Sequence, residues 1–302
     1  MNGKIDIIIP WLNPNDDWYK EYKKYSPHEH PGRIRDMNIF KYLLRSISEN
    51  CKWVNRVFIV LYDESQKPSW LKETPRLKVI YHKQFIPAKF LPNFNSVLTD
   101  MHFSFIEELS DNFIFMNDDM FFMKKVPETM YFDNNLPVHH ESLHKGMYKP
   151  YNKAQWRKIE NNIYKFVSSV VGCDVLYTTY HLPIPFNKTI QKFMWYKYGN
   201  TFNKMFANSK TRSDNNVCNW IFYGIEEAFN KYVNRPIYKT YPSICFDLTD
   251  GMTDAKIRSL IAGKYIVCFN DGDFLNKDFE KVKHIVQHIL EERFPKKCEF
   301  EK

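Results

Sequence analysis

Two kinds of hydrophobic pattern alternate along the first 130 residues. Short apolar, β-prone runs predict strands, and segments with apolar residues at helical spacing predict helices between them. Strands are expected at Ile5–Trp11, Arg56–Tyr62, Leu77–His82 and within Asn112–Phe122. Helices are expected to begin near Asp36-Met37-Asn38 and near Asn95-Ser96, the second continuing to Leu109. Alternating strands and helices are typical of an α/β layered unit with a mostly parallel sheet.

The pattern changes after Val126, where helical segments dominate. Helices are expected at Trp156–Val171, Lys188–Ala207, Val217–Tyr232 and Phe279–Phe294. Between them we expect a loop over Pro137–Tyr151 and strands at Val175–His181 and Tyr265–Phe269. The predicted organisation is therefore an α/β region over residues 1–130 and an α-rich remainder, residues 131–302, that completes the same domain.

The stretch Asn112–Phe122 carries the clearest chemical signal. Its apolar run Phe113–Met116 suits a strand covered on both faces, yet it leads directly into Asn117, Asp118 and Asp119. Ligands bind at the carboxyl ends of strands in open α/β sheets. Two carboxylates placed there are suitable ligands for a hard divalent cation that grips a diphosphate. A turn that caps the strand explains the same three residues equally well at this point.

The composition indicates a folded globular protein but does not choose among its possible functions. Hydrophobic residues make up 44% of the 302 residues and aromatic residues 17%, which is ample for a packed core. The net charge of +8 suits nucleotide phosphates, an anionic polymer or an acidic membrane surface, and does not choose among them. No apolar run approaches the roughly 18 residues of a membrane span, so a peripheral membrane contact is left open.

The six cysteines are widely spaced and form no Cys-x-x-Cys pair. This spacing favours reduced thiols in a cytoplasmic protein over a disulfide framework or a zinc site. The short apolar run after Met1 is too brief for a secretory signal, which also favours the cytoplasm.

Four blocks of the sequence are informative in their order and spacing. The first runs from Ile5 to Asp16 and contains Trp11-Leu12-Asn13-Pro14-Asn15-Asp16. The second and most specific contains Arg35-Asp36, Tyr42–Ile47, Trp53-Val54, Pro68–Leu71, Leu91–Ser96 and Asn117–Phe121. The third is His181-Leu182-Pro183 with Arg212-Ser213-Asp214, and the fourth is Cys268–Asp271 with Phe294-Pro295 and Phe300-Glu301. Together they resemble the Stealth family of sugar-phosphate transferases, despite Pro14 and Ile39 where that family usually has Gly and Glu.

The resemblance implies a fold and a reaction. The family comprises bacterial capsular polysaccharide phosphotransferases and is related to the catalytic part of the lysosomal-enzyme N-acetylglucosamine phosphotransferase. It implies a Rossmann-like or GT-A-like nucleotide-sugar fold and transfer of hexose-1-phosphate from a UDP-hexose to an acceptor sugar hydroxyl, with release of UMP. The acceptor is expected to be a growing polysaccharide or a lipid-linked oligosaccharide, and no nucleic acid partner is expected. The enzyme is expected in the cytoplasm, with a peripheral contact on the inner face of the membrane left open.

The resemblance also assigns roles to individual residues. Metal ligation, of Mg²⁺ or Mn²⁺, is expected of Asp118, Asp119, Asn270 and Asp271. Catalytic roles are expected of His181 as general base and of Arg35, Asp36 and Arg212 around the transferred phosphoryl group. Substrate contacts are expected of Asn13, Asp16, Asn95, Ser96 and Asp214.

Several of these roles have purely structural alternatives. Each arginine has a neighbouring aspartate, Asp36 or Asp214, with which it could form a structural ion pair. The histidines His139, His140 and His144 suggest a metal cluster, but a solvated loop is the preferred interpretation. For the whole chain, a metal-dependent glycosyltransferase that releases UDP is the main alternative, and a binding module for acidic glycans is a second one.

Overall fold

The computed structural model describes residues 2–26, 32, 34–140, 155–172, 180–272 and 274–302. The strands in this part of the chain are β1 Ile5–Pro10, β2 Arg56–Leu61, β3 Leu77–Tyr81, β4 Asn112–Phe115, β5 Met120–Phe122, β6 Phe132–Asp133, β7 Leu136–His140, β8 Ile184–Asn187, β9 Val233–Arg235, β10 Ile244–Asp247 and β11 Ile266–Asn270. The helices are α1 Asp16–Lys23, α2 Phe40–Asn50, α3 Ser96–Met101, α4 Gln155–Val171, α5 Lys188–Met205, α6 Trp220–Ala228, α7 Ile237–Thr240, α8 Asp254–Ile261 and α9 Phe279–Arg293. None of these helices is long and apolar enough to cross a bilayer.

The main sheet has the strand order β3-β2-β1-β4-β8 and confirms the predicted mixed α/β class. All pairs among β1, β2, β3 and β4 are parallel. Strand β1 lies in the centre, and its alternate residues face opposite sides, with Ile7 and Ile9 in one apolar cluster and Ile8 in the other. A strand buried on both faces in this way needs the continuous apolar run that the sequence shows.

The edge strand β8 was missed in the sequence. It pairs antiparallel with β4, opposite Asn112–Phe115. A strand was expected slightly earlier, at Val175–His181, of which residues 175–179 lie outside the described residues. Pro185 in the short run Ile184–Asn187 argues against a central strand, but an edge strand tolerates proline because one side of it makes no ladder hydrogen bonds.

The stretch Asn112–Phe122 forms two strands in two different sheets. Strand β4 ends at Phe115, the chain turns at Asn117–Asp119, and β5 then pairs antiparallel with β11. Strand β11 also pairs in parallel with β10 in this smaller sheet. Because the turn joins the two sheets, Asp118 and Asp119 lie between them.

The prediction of a solvated loop at His139 and His140 is wrong. These residues end β7, which pairs with β9, and their side chains are buried. His139 stacks on Tyr223 with ring centres 3.6 Å apart, and its ring nitrogens contact Glu226 and Glu227. Helical and strand patterns cannot reveal such a site, because its polar partners lie almost 90 residues away; His144 is outside the described residues.

Two predicted helix boundaries also change. The long helix expected after Asn95 is the short α3, followed by a 3₁₀ turn at Phe103–Phe105. The turn expected over Asn13–Asp17 contains the start of α1, whose N-cap is Asn15. Asn15 accepts a hydrogen bond from the backbone N–H of Trp18, and asparagine is a favoured residue for that position.

Candidate active site

A cavity of about 840 Å³ opens at the carboxyl edge of the main sheet. Its lining includes His82, Tyr62, Trp11 and Asn117, which stand just after β3, β2, β1 and β4. The carboxyl ends of parallel strands meet at one edge, so four separate chain segments converge here. This is the position at which ligands bind in open α/β sheets.

Asp118 and Asp119 line this cavity at the junction of the two sheets. Burial, followed by the negative charges of Asp119 and Asp36, raises the pKa of Asp118 to about 8. Oδ1 of Asp119 is buried and accepts no hydrogen bond from any residue that the structure describes. A bound cation would stabilise both carboxylates, and their oxygens are the ligands that a hard divalent ion prefers, so the pair fits a divalent metal.

His181 faces the same carboxylates from the segment before β8. Its Nε2 lies 3.3 Å from Nδ2 of Asn117 and 3.9 Å from Oδ2 of Asp119. Burial lowers the pKa of His181, but its interaction with Asp119 outweighs burial and leaves the pKa above the ordinary value of 6.5. The side chain is 38% exposed, so it can exchange a proton with a molecule in the cavity.

Arg35 is held by Asp271 and not by its neighbour Asp36. Its Nε and Nη2 donate to the two carboxylate oxygens of Asp271 at 2.7 and 2.5 Å. Nη2 also donates to the carbonyl oxygen of Leu275 at 2.6 Å, and the guanidinium lies 4.0 Å from the ring centre of Phe279. Both oxygens of Asp271, an expected metal ligand, are thus occupied by Arg35.

Arg212 lines the cavity from the loop after α5. Its Nη2 donates to the hydroxyl of Ser96 at 2.7 Å, and its guanidinium lies 5.6 Å from the ring centre of Trp156. Asp214, expected to contact substrate, instead forms an ion pair with Lys158. The structure therefore brings Arg212 and Ser96 together in the cavity and leaves Asp214 outside its lining.

Asp100 is a cavity residue that the sequence analysis missed. It is only 8% exposed, and its Oδ1 has no hydrogen-bond partner within the described ranges. Burial raises the pKa of Asp100 to about 8, against the opposing positive charge of Arg212. The available signal was Thr99-Asp100 within the otherwise apolar segment Val97–Met101, a polar pair where packing alone calls for hydrophobic residues.

The remaining expected site residues have structural partners. Asn95 is fully buried, and its Nδ2 donates to Asn216 at 2.8 Å and to the carbonyl oxygen of Thr211 at 3.2 Å, which fixes the loop that carries Arg212. Asn270 donates to Asp247 at 2.5 Å on the cavity wall. Asn13 donates to the carbonyl oxygen of Gln66 at 2.8 Å, and neither Asn13 nor Asp16 is among the described residues that line the cavity.

Aromatic side chains form the other end of the cavity. Phe94 stacks on Tyr62 with ring centres 5.2 Å apart, and Trp18 and Tyr22 each meet Phe94 edge to face at 5.7 Å. All four residues line the cavity. The site thus has a charged end, with carboxylates, Arg35 and an imidazole, and an aromatic end suited to a flat ring. Arg212 is bonded to Ser96, two residues after Phe94.

Comparison with known proteins finds a matching family region and relatives that align over nearly the whole chain. Residues 33–139 match the model of Stealth protein CR2, conserved region 2. A capsular polysaccharide phosphotransferase of Streptococcus pneumoniae is 28% identical over 99% of this chain and 98% of its own length. The chain thus contains a Stealth region. An exopolysaccharide phosphotransferase of Lactiplantibacillus plantarum is 24% identical over 99% of this chain and 96% of its own.

The matched Stealth region holds only part of the charged end. Arg35, Asp36, Asp100, Asp118 and Asp119 lie within residues 33–139. His181, Arg212 and the Asn270-Asp271 pair lie outside it and reach the cavity through the fold of the remaining chain. The match of the phosphotransferases over nearly the whole chain therefore carries more weight than the region model alone, and it places this protein among enzymes.

A weaker likeness exists to a solved galactosyltransferase, LgtC, in complex with donor and acceptor sugar analogues. The TM-score is 0.45 at 8% sequence identity, with 97% of this chain and 98% of that chain covered. A superposition this loose does not bear on the fold or the chemistry of this chain.

Proposed function

We propose that this protein transfers hexose-1-phosphate from a UDP-hexose to a hydroxyl of a capsular or cell-surface polysaccharide, and releases UMP. The main support is one cavity that combines two carboxylates, an imidazole and two arginines in a chain aligned end to end with capsular polysaccharide phosphotransferases. An arginine fork suits the oxygens of a phosphoryl group. A glycosyltransferase develops positive charge on the sugar ring instead, and gains less from two arginines.

The donor extends across the cavity from the aromatic end to the charged end. Tyr62 and Asn117 follow strands that are two positions apart in the sheet, which corresponds to roughly 10 Å at the usual strand spacing. That separation suits a nucleoside whose base packs against Phe94 and Tyr62 and whose diphosphate reaches Asp118 and Asp119. The aromatic cluster excludes water from the base, and the charged end receives the reacting phosphorus.

Bond making and breaking occur at the β-phosphorus. An acceptor hydroxyl oxygen attacks that phosphorus, its proton passes to His181, and the bond to the bridging oxygen breaks so that UMP leaves. Arg35 and Arg212 donate hydrogen bonds to the phosphoryl oxygens as negative charge builds on them. The bond between the sugar carbon and its phosphate oxygen stays intact, so the donor's anomeric configuration is retained.

A divalent cation fits the carboxylates, and Asp118 and Asp119 would hold it. When bound, Mg²⁺ or Mn²⁺ neutralises charge on the donor diphosphate. Asn270 remains a candidate for completing the ligand set, whereas Asp271 serves Arg35. The negative charge of Asp36 also raises the pKa of Asp118, so a bound cation would stabilise this carboxylate further.

The acceptor is a growing polysaccharide or a lipid-linked oligosaccharide in the cytoplasm. The net charge of +8 supports attraction to anionic glycans and to the inner face of an acidic membrane. Ser96 lies on the cavity wall beside Arg212, where it would bind sugar hydroxyls, whereas the buried Asn95 holds the loop that carries that arginine.

The decisive test is the identity of both products. Purified protein is incubated with a panel of UDP-hexoses, Mg²⁺ or Mn²⁺, and a capsule-type acceptor oligosaccharide. We expect UMP as the nucleotide product and a phosphodiester resonance in the phosphorus NMR spectrum that is coupled to the anomeric proton. Release of UDP with a phosphorus-free linkage would instead establish the glycosyltransferase alternative.

A further inference from the structure

Two thiols stand beside the catalytic carboxylate and imidazole. Cys245 on β10 and Cys268 on β11 are direct partners in the parallel register, so their side chains leave the sheet on the same face. One ligand atom each of Asp119, His181 and Cys268 lies within 4.8 Å of the other two. Residues from three distant parts of the chain therefore meet at one point, and Cys245 lies next to them as the register partner of Cys268.

Cys245 is the accessible member of the thiol pair. It lines the cavity, whereas Cys268 is fully buried behind it. Both sulfurs therefore lie on the side of the small sheet that faces the cavity and His181.

The four donors differ in kind from the pair of carboxylates that suits magnesium. Two sulfurs, one imidazole nitrogen and one carboxylate oxygen form a mixed set for a borderline-soft ion of preferred tetrahedral geometry, such as Zn²⁺. Magnesium and manganese favour oxygen ligands and gain little from thiols. The buried Oδ1 of Asp119, which lacks a partner among the described residues, supplies a further reason for a cation here.

We propose that Cys245, Cys268, His181 and Asp119 form a zinc-class metal site that overlaps the transfer site. A Zn²⁺ ion held there occupies the imidazole that takes the acceptor proton and one of the two carboxylates that face the diphosphate. Zinc is thus expected to inhibit the enzyme rather than to support it. Binding follows from the donor set alone, while inhibition rests on the proposed function.

Binding is tested without any sugar substrate, on the full chain kept reduced with a non-chelating phosphine. Co²⁺, which reports on zinc sites, is titrated in, and the absorption spectrum is recorded. We expect one equivalent to give visible bands of a tetrahedral ion and near-ultraviolet thiolate-to-cobalt charge transfer, both abolished by excess Zn²⁺. A spectrum of octahedral cobalt without thiolate charge transfer would overturn the site.

Matched serine variants locate the ligands. Cys245→Ser and Cys268→Ser should each reduce the charge-transfer band, and should weaken Zn²⁺ binding by at least about tenfold, the lower limit seen when even second-shell groups are lost. Cys298→Ser, a partly buried thiol next to Glu301, should leave both unchanged. Equal spectra in all three variants would exclude the thiol ligands, and circular dichroism identifies any variant that fails to fold.

Inhibition is measured separately, as the Zn²⁺ concentration that halves product release relative to each protein's own zinc-free rate. Cys245→Ser should raise that concentration by about tenfold or more, and a chelator should restore the rate. Cobalt binding without any sugar-phosphate transfer would retain the metal site and reject the proposed function. Transfer that is unaffected by bound zinc would reject the overlap of the two sites.

Discussion

Two histidine–carboxylate groups in this molecule use the same residue types with opposite results. His181 meets Asp119 at 3.9 Å on a cavity wall, where the imidazole is 38% exposed. His139 contacts Glu226 at 3.0 Å and Glu227 at 3.2 Å in the interior, where it is 1% exposed. The closer, better enclosed group is the one with no access to a substrate.

The two groups differ in the free-energy cost of carrying a charge. Burial lowers the pKa of His139 far below its usual value, raises that of Glu226 and brings that of Glu227 to about 8, so burial disfavours charge on every member of the interior group. At the cavity, the interaction with Asp119 wins over burial and raises the pKa of His181. Short contacts between titratable residues therefore mark function only where solvent or substrate reaches them.

The largest expected effect on the transfer rate comes from replacing the carboxylates at the cavity, whereas the matched change in the interior group should have little effect. Asp119→Asn and Asp118→Asn should each lower the transfer rate by roughly three orders of magnitude or more, because a cation that neutralises the diphosphate is no longer held. Glu227→Gln is the matched change in the interior group and should leave turnover near the wild-type rate. Rates are measured with saturating donor and Mg²⁺ or Mn²⁺, and excess chelator should reproduce the loss. Full activity of Asp119→Asn in chelator would refute the metal assignment.

His181→Ala is expected to reduce turnover by about 10²–10⁴-fold while donor affinity stays nearly constant, since the base meets the acceptor and not the nucleotide. Equilibrium binding of the UDP-hexose and the turnover number report these two quantities separately. The rising limb of the wild-type pH–rate profile should lie above 6.5, because the pKa of His181 is raised, and should vanish in the variant. Loss of donor binding with normal saturated turnover would make His181 a donor ligand.

In the interior group, replacing the histidine by alanine should lower the stability of the fold and leave turnover unchanged. His139→Ala removes the stack on Tyr223 and leaves Glu226 without its partner, so the free energy of unfolding should fall by about 2–5 kcal/mol, as for other large-to-small core changes. Denaturant titration measures this loss, and turnover per folded molecule should be retained. Unchanged stability would show that the group contributes nothing to the fold.

Asp100 is intermediate between the cavity group and the interior group, because it is a buried carboxyl group on the cavity wall. Its folded-state pKa of about 8 lies above the ordinary 3.8, so ionisation opposes folding progressively as pH rises between these values. Asp100→Asn should therefore match the wild-type melting temperature near pH 4 and exceed it above pH 8, while transfer becomes slower. A melting difference that does not change with pH would contradict a buried, protonatable Asp100.

The sequence predicted the parts of this molecule that depend on local pattern. The apolar runs of β1, β2 and β4 located the parallel sheet, and Asn117-Asp118-Asp119 located the edge at which the cavity opens. The environments of Cys245, Cys268 and Asp100 were not predicted, because they depend on residues that are distant in the sequence. Cross-strand register brought the two thiols together, and only the folded cavity shows that Asp100 is buried without a full set of partners.

The pairing of Arg35 with Asp271 bears on how the enzyme completes a cycle. A phosphoryl group that engages Arg35 must compete with a carboxylate that already satisfies two of its donors. Arg35 is thus not a free positive charge that would retain anions, and under the proposed function Asp271 would reclaim the guanidinium as UMP departs. Removal of this internal competitor, as in Asp271→Asn, should tighten UMP binding and shift the slow step of turnover towards product release.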